Sequence, residues 1–240
     1  MSNALPMLRV FIGYDPNETV ALHVLSHSIW RHAKTPVGIT PLVLTQLPMT
    51  RERNPLQTTE FSFSRFLVPW LCAYRGKAVF MDCDMLCRAD VGELADYPLA
   101  GTHLSVVQHD YTPKAKTKFL DQPQTAYGKK NWSSVMVFDC ERCSQLTPDY
   151  VNEASGMDLH QFKWLDSRGS QIGSLPAGWN HLVGEYPENP EAKLVHFTLG
   201  GPWFWKYREC EYAAQWRAEK NLMLHHNPMG EYALAESSGT

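Results

Sequence analysis

Ala78-Val79-Phe80-Met81-Asp82-Cys83-Asp84 is the stretch whose reading decides the fold. Four consecutive apolar residues match a strand buried on both faces, the pattern of a parallel sheet covered by helices on either side. Two acids follow at once. In open α/β sheets the carboxyl ends of the strands border the crevice where ligands bind. Alternate residues of an extended segment point the same way, so Asp82 and Asp84 can share one divalent cation through hard oxygen ligands, while Cys83 packs inward. A solvated strand-to-loop turn is the plainer reading of the same residues.

Upstream, Leu8-Arg9-Val10-Phe11-Ile12 reads as a strand that leaves its sheet at Gly13-Tyr14-Asp15-Pro16. A helix follows, capped by Asp15, with Pro16 at its first position, Glu18 three residues after the cap and Val20, Val24, Leu25 and Ile29 along one face. Thr35-Pro36 stops it, and Val37 to Leu44 is a second strand. The spacing predicts a further helix over Glu60–Arg75, kinked at Pro69 and stopped by Gly76. Downstream, strands are expected at Leu104–Val107 and Val135–Phe138 and a helix at Arg208–Leu222. This alternation predicts an α/β fold, a mainly parallel central sheet flanked by helices. A single domain over 1–240 is expected, with a nucleotide-binding part at about 8–90 and an acceptor-side and C-terminal part at about 100–225.

Composition narrows the function classes. The chain has 240 residues, 44% hydrophobic, and a net charge of -3; its mean hydropathy is -0.33. These values fit an ordered globular protein and remove the global electrostatic drive toward nucleic acid or anionic membrane. No stretch has the ~20 apolar residues of a membrane span, and the N-terminal residues lack a signal-peptide pattern, so a cytoplasmic protein is expected. The six cysteines are too sparse for a disulfide framework and read as reduced thiols. Between Asp110 and Asn131 the chain turns polar, with Lys114, Lys116, Lys118, Lys129 and Lys130, which reads as exposed loop or as a lid over an anionic ligand.

Two further segments carry candidate chemistry. Leu194-Val195-His196-Phe197-Thr198-Leu199-Gly200-Gly201-Pro202-Trp203 is a short strand that ends in a glycine pair. Paired glycines let backbone N–H groups approach a phosphate, Lys206 could neutralise it, and the imidazole of His196 suits Mn2+ better than Mg2+. A hydrogen-bonded structural histidine is the bland alternative. Arg65, in Phe63-Ser64-Arg65-Phe66, sits on an apolar segment shortly before the acids. It either pairs with one of them or also contacts phosphate through its planar fork.

Taken in order, Gly13-Tyr14-Asp15, Ser64-Arg65, Phe80-Met81-Asp82-Cys83-Asp84, Trp132-Ser133-Ser134-Val135-Met136 and His196-Phe197-x-x-Gly200-Gly201-Pro202-Trp203 resemble the nucleotide-sugar glycosyltransferases of the GT-A fold. The likeness is greatest to family 8 and its glycogenin-like relatives, and runs from about residue 8 to 206. It implies a hexosyltransferase that uses a UDP-sugar donor, Mn2+ (or Mg2+) and a carbohydrate or other hydroxyl acceptor, with retention. On the same resemblance Asp82, Asp84 and His196 bind the metal, and Gly13, Tyr14, Asp15, Asp82 and Cys83 lie on the nucleotide side. Arg65 stands near acids and donor, and Gly201 and Lys206 approach the diphosphate. Asn131, Trp132, Ser133 and Ser134 would contact sugar, and Trp179, Asn180, Trp203 and Trp205 lie where an acceptor could stack or where core is built. The sequence departs from the family at three points. Gly201 replaces the lysine before Pro-Trp, the family's asparagine is displaced to Asn131, and its Asp-Gln pair has its nearest counterpart in Trp164-Leu165-Asp166. Asp166 is then the polar group beside the anomeric carbon.

Two other readings stay open. A nucleotide-sugar-binding module that has lost turnover is compatible with those departures. A haloacid dehalogenase-type phosphatase also places Asp-x-Asp after an apolar strand, but that motif lies near the N-terminus and continues into Thr, whereas here Met85-Leu86 follow.

Overall fold

The computed structural model describes residues 7–53, 57, 59–110, 128–165 and 172–225. Its strands are β1 (Leu8–Gly13), β2 (Val37–Leu42), β3 (Lys77–Met81), β4 (Met85–Cys87), β5 (Leu104–Val106), β6 (Val135–Asp139), β7 (Ile172–Ser174), β8 (His181–Leu182) and β9 (Leu194–His196). The helices are α1 (Thr19–His32), α2 (Val68–Leu71), α3 (Gly92–Asp96), α4 (Pro148–Glu153), α5 (Gly156–His160) and α6 (Ala213–Met223).

The larger sheet has the order β2-β1-β3-β6-β5-β7. β1 runs parallel to β2 and β3, and β5 parallel to β7, whereas β6 is antiparallel to both of its neighbours. That single reversed strand assembles the site. The carboxyl ends of β1, β3 and β5 and the start of β6 all meet at one edge, and Asp82 donates its N–H to the carbonyl of Ser134 there at 3.0 Å. Val79, Phe80 and Met81 have no exposed surface, and each such burial contributes about 1.5–3 kcal/mol.

A smaller sheet, ordered β4-β9-β8, leaves the same edge. β4 begins one residue after Asp84 and pairs antiparallel with β9, Met85 facing His196. Residues 84 and 196 are thereby adjacent although 112 positions separate them, and the N–H of Phe197 donates to the Asp84 carbonyl at 2.8 Å. α1 lies between the two layers. Its Leu22, Leu25 and Ile29 face the main core, while Val24 joins Phe197, Tyr212 and Trp216 in a second apolar cluster.

Asp15 caps the chain ahead of α1 as expected, its Oδ1 accepting from the N–H of Asn17 at 2.9 Å. The helix expected over Glu60–Arg75 is instead a 3-10 turn, Ser64–Leu67, that runs into the four-residue α2. Pro69 sits in the first turn of α2, where its missing N–H costs nothing, and Ala73 and Tyr74 adopt left-handed φ values of 50° and 53° that end the helix before Gly76. At the other end Tyr212, with φ of 61°, delays the last helix to Ala213. Among the described residues no helix is long and apolar enough to cross a membrane.

Candidate functional site

Asp82, Asp84 and His196 come together in a buried group in which one ligating atom from each lies within 4.8 Å of the others. His196 Nε2 is 3.4 Å from Asp84 Oδ1 and 4.0 Å from Asp82 Oδ2. Two metal–ligand bonds of about 2.1 Å span such separations, and two carboxylates with one imidazole suit a divalent cation of borderline hardness. The residues therefore fit a metal ion. Burial raises the pKa of Asp82 above the ordinary carboxylate value and Asp84 adds to that, while Arg65, His196 and a hydrogen bond to Ser134 pull it back.

Arg65 is itself buried and sits 2.9 Å from Asp82 Oδ1. Its guanidinium also donates to the Ser133 carbonyl at 2.9 Å and lies 5.2 Å and 5.0 Å from the ring centroids of Phe61 and Phe80. The pairing with an acid, left open by the sequence, is thus the observed one, and aromatic faces supply further favourable contact for the cation. The segment after Asn131, whose φ is 60°, therefore meets the ion pair twice, through Ser133 to Arg65 and through Ser134 to Asp82. Ser133 Oγ also contacts His160 Nδ1 at 2.8 Å.

The remaining expected site residues divide by environment. Gly13 ends β1 beneath the ring of Phe61, so close that a Cβ there would lie 2.3 Å from a ring carbon. Tyr14 is half-buried and its hydroxyl is 3.3 Å from Thr19 Oγ1, while the second Asp15 oxygen accepts from Glu60 N–H at 3.1 Å. Gly201 lies under Trp203, whose ring packs against Phe197, Phe204 and Trp216. Trp179 and Asn180 are buried, and the Asn180 carboxamide is held between His196 and Asn131. Trp132 donates its indole N–H to the His109 carbonyl at 2.8 Å. Lys206 is exposed beside Tyr207, and Trp205 is 79% exposed with Arg208 stacked 3.9 Å from its ring. Lys129 and Lys130, expected on solvated surface, are instead half-buried and buried, Lys129 donating to the Gln161 carbonyl at 2.9 Å. Asp166 and Lys114, Lys116 and Lys118 lie outside the described residues.

Two buried groups, one near the acids and one near His196, were not singled out as site residues in the sequence. Glu18, read there as a cap residue, is fully buried, and Cys83 Sγ approaches its Oε2 at 3.8 Å. Burial pushes its pKa well up, and the charges of Asp84, Asp15 and Asp82 push the same way. His109, three residues beyond β5, has Nδ1 3.2 Å from the Tyr186 hydroxyl. Burial, then His196 and His181, lower its pKa to about 3, so it stays a neutral imidazole at physiological pH. Neither carried a sequence signal, because each becomes relevant only once β3, β5 and β9 meet.

The fold and this acidic strand-end site define the class as the GT-A glycosyltransferase fold. Among solved structures, the bifunctional glycosyltransferase WbbM superposes with a TM-score of 0.60 at 15% identity, over 92% of this chain and 50% of that one. An active-site mutant of LgtC gives 0.58 at 11% identity, over 90% of this chain and 96% of that one. The chain belongs to the family of Protein CDI of Arabidopsis thaliana, with which it is 44% identical over 222 residues, 88% of this chain and 85% of that protein. It is also 25% identical to human UDP-glucose:glycoprotein glucosyltransferase 1 over 90% of its own length, which is 15% of that protein. No protein-family model matches the chain.

Proposed function

We propose that this protein is a metal-dependent glycosyltransferase that moves a hexose from a UDP-sugar to a hydroxyl-bearing acceptor, with retention and with Mn2+ (or Mg2+) at Asp82, Asp84 and His196. The observation that carries the reading is the convergence of those three side chains at the carboxyl edge of the sheet. The names of the relatives support it, one a UDP-glucose:glycoprotein glucosyltransferase and one structure of LgtC described as a galactosyltransferase with donor and acceptor sugar analogues.

A divalent cation held there would neutralise charge gathering on the departing diphosphate. The chain's own residues prepare the site. Arg65 offsets the charge of Asp82 and fixes its carboxylate, and the Ser134 carbonyl anchors the Asp82 backbone, so the ligands are in place before the donor arrives. Gly13, Tyr14 and Asp15, at the end of the adjacent parallel strand, form the proposed wall of the nucleotide pocket with Cys83. Gly201 and Lys206 are the proposed approach to the diphosphate, Asn131 to Ser134 to the sugar, and Trp203 to the acceptor side, with the buried Trp179 and Asn180 behind it, the Asn180 carboxamide being held by His196 and Asn131. Asp166 is the proposed polar group beside the anomeric carbon.

A second reading, a nucleotide-sugar-binding module without turnover, is favoured by Gly201, which carries no side chain where the family has lysine and is roofed by Trp203. Incubation with a panel of UDP-hexoses and Mn2+, followed by UDP release, separates the two. Slow metal-dependent hydrolysis of one donor supports the transferase, and donor binding without release supports the module.

A further inference from the structure

Asn180 closes the 3-10 turn Ala177–Asn180 and is fully buried. Its Nδ2 donates to the Asn131 carbonyl at 3.1 Å, and its Oδ1 lies 2.9 Å from His196 Nδ1. A peptide carbonyl has no proton to give, so the carboxamide has to turn its NH2 toward Asn131. The oxygen then facing His196 can only accept. Nδ1 must therefore carry a proton, and Nε2 is the nitrogen turned toward Asp82 and Asp84, at 4.0 Å and 3.4 Å. A histidine binds a metal through its unprotonated nitrogen, and the partner of the other nitrogen selects which one that is.

We infer that Asn180 is a positioning residue that holds a proton on Nδ1 of His196 and so turns Nε2, the nitrogen left for a cation, toward the acids. This rests on the reading of Asp82, Asp84 and His196 as a cation site. The brace is two-sided. Asn131, which receives the Asn180 amide, donates its own Nδ2 to Thr198 Oγ1 at 3.3 Å, two residues past His196. The turn that supports Asp82 through Ser133 and Ser134 therefore also supports the histidine, which ties the spacing of carboxylate and imidazole to one loop.

The test reads the tautomer directly, by long-range proton–nitrogen correlation spectra of 15N-labelled protein freed of metal at pH 7.5, with the His196 signals assigned by their absence in His196→Gln. Manganese affinity is measured in parallel from the electron paramagnetic resonance of free Mn2+, with no nucleotide added. Wild-type His196 is expected to carry a proton on Nδ1, as imidazole or imidazolium. Asn180→Asp, which keeps an acceptor facing Nδ1, retains that proton. Asn180→Leu, which offers none, loses it and binds Mn2+ about 10- to 100-fold more weakly. A wild-type His196 with Nδ1 unprotonated overturns the inference whether or not the variants fold, as does Asn180→Leu with wild-type Nδ1 protonation and Mn2+ affinity. Wild-type protein that has the Nδ1 proton but binds no Mn2+ overturns the cation site, and with it the purpose assigned to Asn180.

Discussion

Arg65 and Asp82 form a buried ion pair at 2.9 Å, roofed by Phe80, which lies in β3 two positions before the acid. Removing one member of such a pair strands the other charge away from water. Arg65→Met is expected to cost about 3–5 kcal/mol in urea denaturation. Arg65→Lys recovers part of that, because one nitrogen, Nη1, reaches both Asp82 and the Ser133 carbonyl and an ammonium could do the same, while the flat guanidinium contact with Phe61 and Phe80 is lost. Equal midpoints for wild type and Arg65→Met would contradict the pairing.

Glu18 makes stability depend on pH. Its folded pKa is raised well above the ordinary 4.5 by burial and by Asp84, Asp15 and Asp82. The folded state therefore holds this proton more tightly than the unfolded chain does. The resulting stability is fully present below the unfolded pKa and is lost as pH rises through the folded one. Glu18→Gln cannot ionise, so its melting temperature in EDTA is expected to gain on wild type as pH is raised from 4 to 8. Parallel melting curves for the two proteins across that range would remove Glu18 from the account.

Gly201 is constrained by packing. A Cβ at this position would sit 2.0 Å from a ring carbon of Trp203, so Gly201→Ala has to displace the indole from Phe197 and Trp216. A loss of about 1–3 kcal/mol is expected, the usual cost of overpacking, together with a red shift in tryptophan emission. Trp203→Leu in the Gly201→Ala background should recover part of the stability, and a fully additive double variant would show that the two do not clash.

The sequence made the acids and the histidine legible because they lie at the ends of short apolar strands, Asp82 directly after β3 and His196 as the last residue of β9. The parallel pairing of β1 with β2 and β3 fits the mainly parallel sheet read from the alternation of strand and helix. What it could not reveal is long-range register. Nothing local says that β4 pairs with β9 so that Met85 faces His196, or that β6 runs antiparallel and returns Ser133 and Ser134 to Arg65 and Asp82. Glu18 fitted a capping pattern, and its burial against Cys83 depends on β3 arriving from 65 residues away. Over residues 60–75 the apolar spacing favoured a helix, but the turn that carries Arg65 to Asp82 and the left-handed Ala73 and Tyr74 prevailed. Tertiary contact outweighs a propensity of a few tenths of a kcal/mol per residue.

The central claim is that Asp82, Asp84 and His196 hold a cation through which a nucleotide diphosphate binds. Calorimetric titration of UDP, with GDP and CMP for comparison, in Mn2+ and then in EDTA tests it most directly, on wild type and on Asp84→Ala. The account predicts UDP binding in Mn2+ that disappears in EDTA and in Asp84→Ala, while the variant keeps its circular dichroism spectrum. Unchanged UDP affinity in EDTA or in Asp84→Ala, or no nucleotide binding under any condition, would contradict it.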